Sequence, residues 1–141
     1  VEDFEVLTQA GKPGFFFDLH DGGALPVEMA GDGVRLLLRL SFELATCAGG
    51  LVLMEEPETH LHPGAIRQAA RAIHAASRRD IQIVASTHSL DLIDALLEKC
   101  RGDLESLAFY RTSLVEGKLG CRRYSGAEAA AARAGMVEDL R

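Results

Sequence analysis

The stretch Leu51-Val52-Leu53-Met54-Glu55-Glu56-Pro57-Glu58 decides how this chain is read. Four apolar residues in a row, bounded by Gly49-Gly50 and by acids, suit a short strand covered on both faces, as in a parallel sheet. Downstream, Pro63 and Gly64 open a helix predicted over 65–78. Its apolar positions Ile66, Ala69, Ala70, Ile73 and Ala76 fall on one stripe. A second apolar strand is predicted over 81–85. Strand, helix and strand make a β-α-β unit, so the two strands are expected to be parallel and adjacent. The fold class is therefore α/β.

In open α/β sheets, ligands bind beyond the carboxyl ends of the strands. Glu55 and Glu56 stand at that edge, and alternation along the strand sends them in different directions. One can hold a Mg²⁺ ion while the other orients an attacking water as a general base. The plainer alternative is a pair of solvated loop glutamates before a turn proline. The second strand ends in Ser86-Thr87-His88-Ser89, which places His88 at the same sheet edge. That run also opens a helix, where free N–H groups favour anions and a histidine can donate to a phosphate oxygen. Otherwise His88 merely helps to cap the helix. Two polar groups of residues at neighbouring strand ends favour the functional reading.

Gly31-Asp32-Gly33 precedes a third helical segment. Glycines let a phosphate approach the backbone, although an ordinary turn capped by Asp32 fits the same residues. His60-Leu61-His62 offers two metal-ligating side chains, but no CxxC or HExxH spacing supplies a third and fourth zinc ligand. The P-loop pattern GxxxxGK[ST], the Rossmann GxGxxG and the hydrolase GxSxG are all missing from the 141 residues.

Working outward, Phe4 to Thr8 and Phe15 to Leu19 read as strands separated by Gly11-Lys12-Pro13-Gly14, and Asp21-Gly22-Gly23 reads as a further turn. Val34 to Ala48 is apolar nearly all round, which predicts a helix buried on most sides and ended by Gly49-Gly50. Ser89 is the expected cap of a helix over 90–99, with acids early and Lys99 late. Leu107 to Arg111 and Leu119 to Tyr124 flank Glu116-Gly117-Lys118 as an antiparallel hairpin. Ser125-Gly126-Ala127-Glu128 matches a capping box before the alanine-rich run 127–134, which Gly135 ends.

Composition bounds the rest. A chain of 141 residues is one modest domain or a piece of a larger one, and buries about two thirds of its unfolded surface. With 48% apolar and 26% charged residues it is not a disordered chain. Arg39 and Glu43 interrupt the longest apolar candidate, so no membrane span is expected, and no signal peptide is visible. Three cysteines without CxxC spacing read as reduced thiols, which points to the cytoplasm. A net charge of -6 makes this segment a poor nucleic-acid binder by itself.

Together these motifs resemble the ABC-class ATPases, in the form found in the overcoming-lysogenization-defect (OLD)-like and RecF-like AAA proteins. Leu51 to Glu58 is similar to their Walker B strand, and Glu55-Glu56-Pro57-Glu58-Thr59-His60-Leu61-His62-Pro63 resembles the run that follows it. Ser86 to Ser89 resembles the switch-histidine motif and Gly31 to Arg35 the signature motif; the terminal Asp139-Leu140-Arg141 is also similar to an end seen in such proteins. The resemblance covers most of the chain, in family order from Gly31 to Ser89. It implies a P-loop NTPase-like, ABC-type C-terminal lobe, with a parallel β-α-β core and a flanking antiparallel hairpin. Cofactors would be ATP and Mg²⁺. Glu55 would support the metal, Glu56 would orient the hydrolytic water, and His88 would sense the γ-phosphate. Residues 60–63, with His62, would match the dimer-crossing D-loop. Gly31, Asp32 and Gly33 would meet the γ-phosphate of ATP on a partner subunit. Two departures stand out: Glu55 replaces the more common Asp, and Gly31 occupies the signature Ser position, which removes a hydroxyl donor. In this family the P-loop lies N-terminal to every motif present, and the chain begins at Val1. Residues 1–141 are thus expected to be the C-terminal part of an ATPase domain. The implied partners are an N-terminal, P-loop-containing half of the same protein, a second copy in a homodimer, and DNA through other regions. Two other readings compete: a non-catalytic interaction module derived from that ATPase, and a metal-dependent hydrolase using the glutamates and histidines.

Overall fold

The apolar stripe of residues 66–76 organises the structure. A computed structural model describes residues 4–9, 11–18, 22–47 and 49–135. Leu19, Asp21, Ala48 and the tail from Met136 to Arg141, with Asp139-Leu140-Arg141, lie outside the described residues.

Strand β4 (Gly50–Glu55), helix α2 (Pro63–Ser77) and strand β5 (Ile81–Ser86) form the expected parallel unit. The register runs from Gly50↔Ile81 to Glu55↔Ser86, so both strands end level. All five stripe residues of α2 are buried. They pack with Leu92 and Ala95 of α3 (Leu90–Lys99) on one side and with Leu44 of α1 (Asp32–Thr46) and Ile81 on the other. Ser89 caps α3 as its sequence requires, its Oγ accepting the Leu92 N–H at 3.3 Å.

Before this core, β1 (Phe4–Gln9), β2 (Lys12–Asp18) and β3 (Ala24–Pro26) form an antiparallel sheet in the order β1-β2-β3. β2 begins three residues earlier than the expected Phe15. Pro13 fits inside it because β3 pairs only with Phe16 to Asp18, leaving a single neighbour strand at the proline. After the core, β6 (Ala108–Val115) and β7 (Lys118–Ser125) form the hairpin, and α4 (Gly126–Ala134) follows. Glu116 and Gly117 both have positive φ, the pair of values a two-residue type I′ loop requires. The capping box is complete, with Ser125 and Glu128 each receiving from the other's backbone.

Two expectations need correction. β4 is covered on one face only: Val52 and Met54 pack inward, while Leu51 and Leu53 are exposed. No helix lies against their side among the described residues. α1 is also not buried on most sides, since Leu44 is its one buried residue. It leans on α2 through Leu36, Leu37 and Leu40, and its other flank carries the exposed Arg35, Arg39 and Glu43. Its C-terminal carbonyls are closed by a residue the sequence did not single out. The Arg79 guanidinium donates to the C=O of Leu44 at 2.6 Å and of Cys47 at 2.8 Å. A cation at that helix end also complements the dipole.

Candidate functional site

Glu55 is the last residue of β4 and pairs with Ser86 at the end of β5. Its side chain is exposed. Glu56 follows with φ 41°, in the left-handed region. Its N–H reaches across to the Ser86 carbonyl at 3.0 Å, which ties the two strand ends together. His60, in the same loop, also has positive φ, at 66°. For residues with a Cβ, each such conformation costs roughly 1–2 kcal/mol. Two within five residues mark a loop held in shape by its surroundings, a pattern that clusters at functional sites.

Local hydrogen bonds do the holding. The Thr59 hydroxyl donates to Glu56 Oε2 at 3.2 Å, and the Thr59 N–H to the Glu56 carbonyl at 2.9 Å. The Leu61 N–H donates to the Glu58 carbonyl at 2.9 Å, and the Leu61 side chain is buried in the core. His62 sits at the N-cap of α2, its Nδ1 accepting the Gly64 N–H at 3.2 Å. That bond requires the proton, when the ring is neutral, to be on Nε2.

His88 stands on the loop after β5. Its Nε2 lies 3.6 Å from Glu56 Oε1, and the histidine side chain is 83% exposed. The structure thus brings together Glu55, Glu56 and His88 at one sheet edge. Gly31, Asp32 and Gly33 open α1, with Gly31 as the N-cap and no side-chain capping bond. Asp32 forms an ion pair with Arg35 and does not cap. A Cβ on Gly33 would stand 3.0 Å from the His60 carbonyl, so the start of α1 lies against the loop that follows the glutamates. A side chain there would press on that carbonyl, so the glycine suits the close approach.

Glu58, which the sequence offered only as one of the glutamates of a metal-dependent hydrolase, makes a link that the sequence did not announce. Glu58 Oε1 accepts a hydrogen bond from the Thr87 hydroxyl, a side-chain link between the two strand-end loops. Its proximity to Pro57 offered a signal only in retrospect, because the partner is 29 positions away. The arrangement has the parts for phosphate and metal chemistry: an exposed carboxylate, a second carboxylate fixed by a hydroxyl, and an exposed imidazole. Mg²⁺ is held by one or two carboxylates plus substrate phosphates, and Glu55 fits that donor set. Among the described residues no three His, Cys, Asp or Glu side chains converge as a dedicated metal cage. A hollow of about 220 Å³ lined by Phe15, Val27, Arg35, Leu38, Arg39 and Phe42 lies elsewhere, between β2 and α1.

Comparison with solved structures places the fold in a class. An SMC ATPase, from work on ATP-driven dimerization and DNA-stimulated activation, is similar over 96% of this chain and 81% of its own, at 14% identity and a TM-score of 0.64. The SMC head with extended coiled coil from Pyrococcus furiosus, bound to the C-terminal domain of ScpA, matches 96% of this chain at 13% identity and a TM-score of 0.62. An SMC head bound to the C-winged helix domain of ScpA matches 77% at 17% identity and a TM-score of 0.60. The chain spans only about a third of the length of those last two, 33% and 31%. The fold is that of the ABC-type heads, a P-loop NTPase fold with parallel and antiparallel sheets. Residues 2–94 match the family described as "AAA domain, putative AbiEii toxin, Type IV TA system", and the chain belongs to this family. No curated protein matches it. No described helix is long and apolar enough to cross a membrane.

Proposed function

We propose that this chain is the C-terminal part of an ABC-type ATPase domain and that it hydrolyses Mg-ATP together with an N-terminal, P-loop-containing half of the same protein. The observation that carries this reading is the pairing of Glu56 and His88, 3.6 Å apart, at the level ends of two hydrogen-bonded parallel strands. Family membership supports the ATPase class, and the bare face of the β4–β5 sheet supports a missing half.

Each residue then has a role in phosphoryl transfer, where catalysis is positioning plus charge stabilisation. Glu55 would hold Mg²⁺, directly or through water, and the ion would supply charge neutralisation to the phosphates. Glu56, its other oxygen fixed by Thr59, orients the attacking water and accepts its proton. His88 donates from Nε2 to a γ-phosphate oxygen. Gly31, Asp32 and Gly33 present N–H groups and the α1 dipole to the γ-phosphate bound by a second copy. His62 stands where the two copies meet. ATP-driven dimerization and DNA stimulation belong to the SMC relative; here a homodimer is the proposed working state, with any DNA held by other regions. The run Glu55 to Pro63 supports an OLD-like or RecF-like branch; a cytoplasmic location and a DNA-related or defence effector complete the proposal.

Steady-state ATP hydrolysis by the full-length protein tests this. Glu56→Gln keeps an oxygen for Thr59 but loses the base, and should lower turnover by about 10²-fold or more while ATP still binds. Unchanged turnover removes Glu56 as the base. Wild-type protein that neither binds nor hydrolyses ATP favours the non-catalytic interaction module.

A further inference from the structure

His88 poses a positioning problem. Its side chain is 83% exposed, so packing around the ring does not hold it near Glu56. Apart from the Glu56 contact itself, what positions the ring acts through the backbone of residues 86–89.

Thr87 is the node of that segment. Its hydroxyl donates to Glu58 Oε1 and accepts the Ser89 N–H at 3.0 Å. Ser89 in turn caps α3, whose Leu92 and Ile93 are buried. On the other side, the Glu58 carbonyl receives the N–H of the buried Leu61. Glu58 and Thr87 therefore join two anchored points, one on each strand-end loop. The second Glu58 oxygen is buried with no hydrogen-bond partner among the described residues. Burying a carboxylate oxygen unsatisfied is costly, and groups left so in a native structure call for a reason.

We propose that Glu58 is a positioning residue: by taking the Thr87 hydroxyl it clasps the loop after β5 to the loop after β4 and sets where His88 stands relative to Glu56. The consequence for hydrolysis rests on the ATPase reading above; the clasp itself does not.

Two readouts separate them. The first is the NMR signal of the His88 ring in Glu58→Ala, Thr87→Val and Glu58→Gln. The first two variants remove the clasp and should shift the signal alike. Glu58→Gln keeps an acceptor for Thr87 and should leave it near wild type. A signal unmoved in Glu58→Ala, or moved as far in Glu58→Gln, overturns the clasp whatever the ATPase result. The second is kinetics of the full-length protein. Glu58→Ala and Thr87→Val should each lower kcat about 10- to 100-fold with little change in KM for ATP or in Tm. The double variant should be no worse than Thr87→Val alone, which breaks the same bond as Glu58→Ala and also frees the Ser89 N–H. Unchanged kcat, or a fall in kcat that tracks Tm, overturns the positioning role. Absence of wild-type hydrolysis defeats the ATPase reading alone, since the ring signal still decides the clasp.

Discussion

Leucines on the two sides of this molecule meet opposite fates. On the helical side, Leu92 of α3 is fully buried against Ala69 and Ala70, which are also at 0% exposure. In the separate β4–β5 and β6–β7 sheets, Leu53 of β4 is 72% exposed, and Leu114 and Leu119, opposite one another near the hairpin tip, are 73% and 75% exposed. The residue type is the same, although the period is 3.6 in the helix and 2 in the strands. A sequence pattern therefore reports which face is apolar, but whether that face is covered depends on what lies across from it.

The sharpest way to break this contrast is at Leu92. Leu92→Ala leaves a cavity among α2 and α3 and should cost about 2–5 kcal/mol in urea unfolding. A cost below about 1 kcal/mol would mean that the helical side is as loosely held as the sheet side. Gly126, the first residue of α4, probes a second tight contact. A Cβ there would stand 2.3 Å from the Leu104 carbonyl oxygen. The neighbour is backbone and cannot swing away, so Gly126→Ala should cost roughly 1–3 kcal/mol by overpacking. A neutral Tm would show that the turn before β6 moves freely.

The capping box of α4 gives a smaller effect and a pH signature. Ser125→Ala should cost about 1 kcal/mol. Glu128 is held below its ordinary carboxylate value by the Ser125 backbone N–H first and the Ser125 hydroxyl second. A depressed folded value means stability that is present above about pH 4.3 and lost as pH falls through the folded value. Wild type should therefore be more stable than Glu128→Gln at neutral pH, and the gap should close in acid. A gap independent of pH would sever Glu128 from the box.

The same contrast explains what was legible in the sequence. Stripe, caps and turns are local, so α2, the Ser89 cap and the antiparallel hairpin followed from neighbouring residues, and the parallel pairing followed from the strand-helix-strand order. That Glu55, Glu56 and His88 meet at one sheet edge was legible as well, because strand ends advertise themselves through a change from apolar to polar. The open face of β4, the exposed flank of α1 and the Arg79 cap were not. Each depends on residues distant in sequence, as does the Glu58–Thr87 link. Val27–Met29 and Leu104–Ser106 form single 3₁₀ turns, too short to carry a period.

The smallest expected effect discriminates most about the sheet side. In this chain Leu53→Gln replaces one exposed side chain by another and should change stability by less than about 0.5 kcal/mol. Leu119→Ser at the hairpin should behave alike. If a further segment of the protein covers the β4–β5 face, the same Leu53→Gln in the full-length protein removes a buried leucine and should cost about 1.5–3 kcal/mol. Chemical unfolding of both forms, side by side, measures that difference directly. A substitution silent in both would leave the β4–β5 face bathed in water throughout, and the proposal of a covering half would lose its structural support. The pairing of Glu56 with His88 would stand untouched by that result, because it is built from bonds within this chain alone.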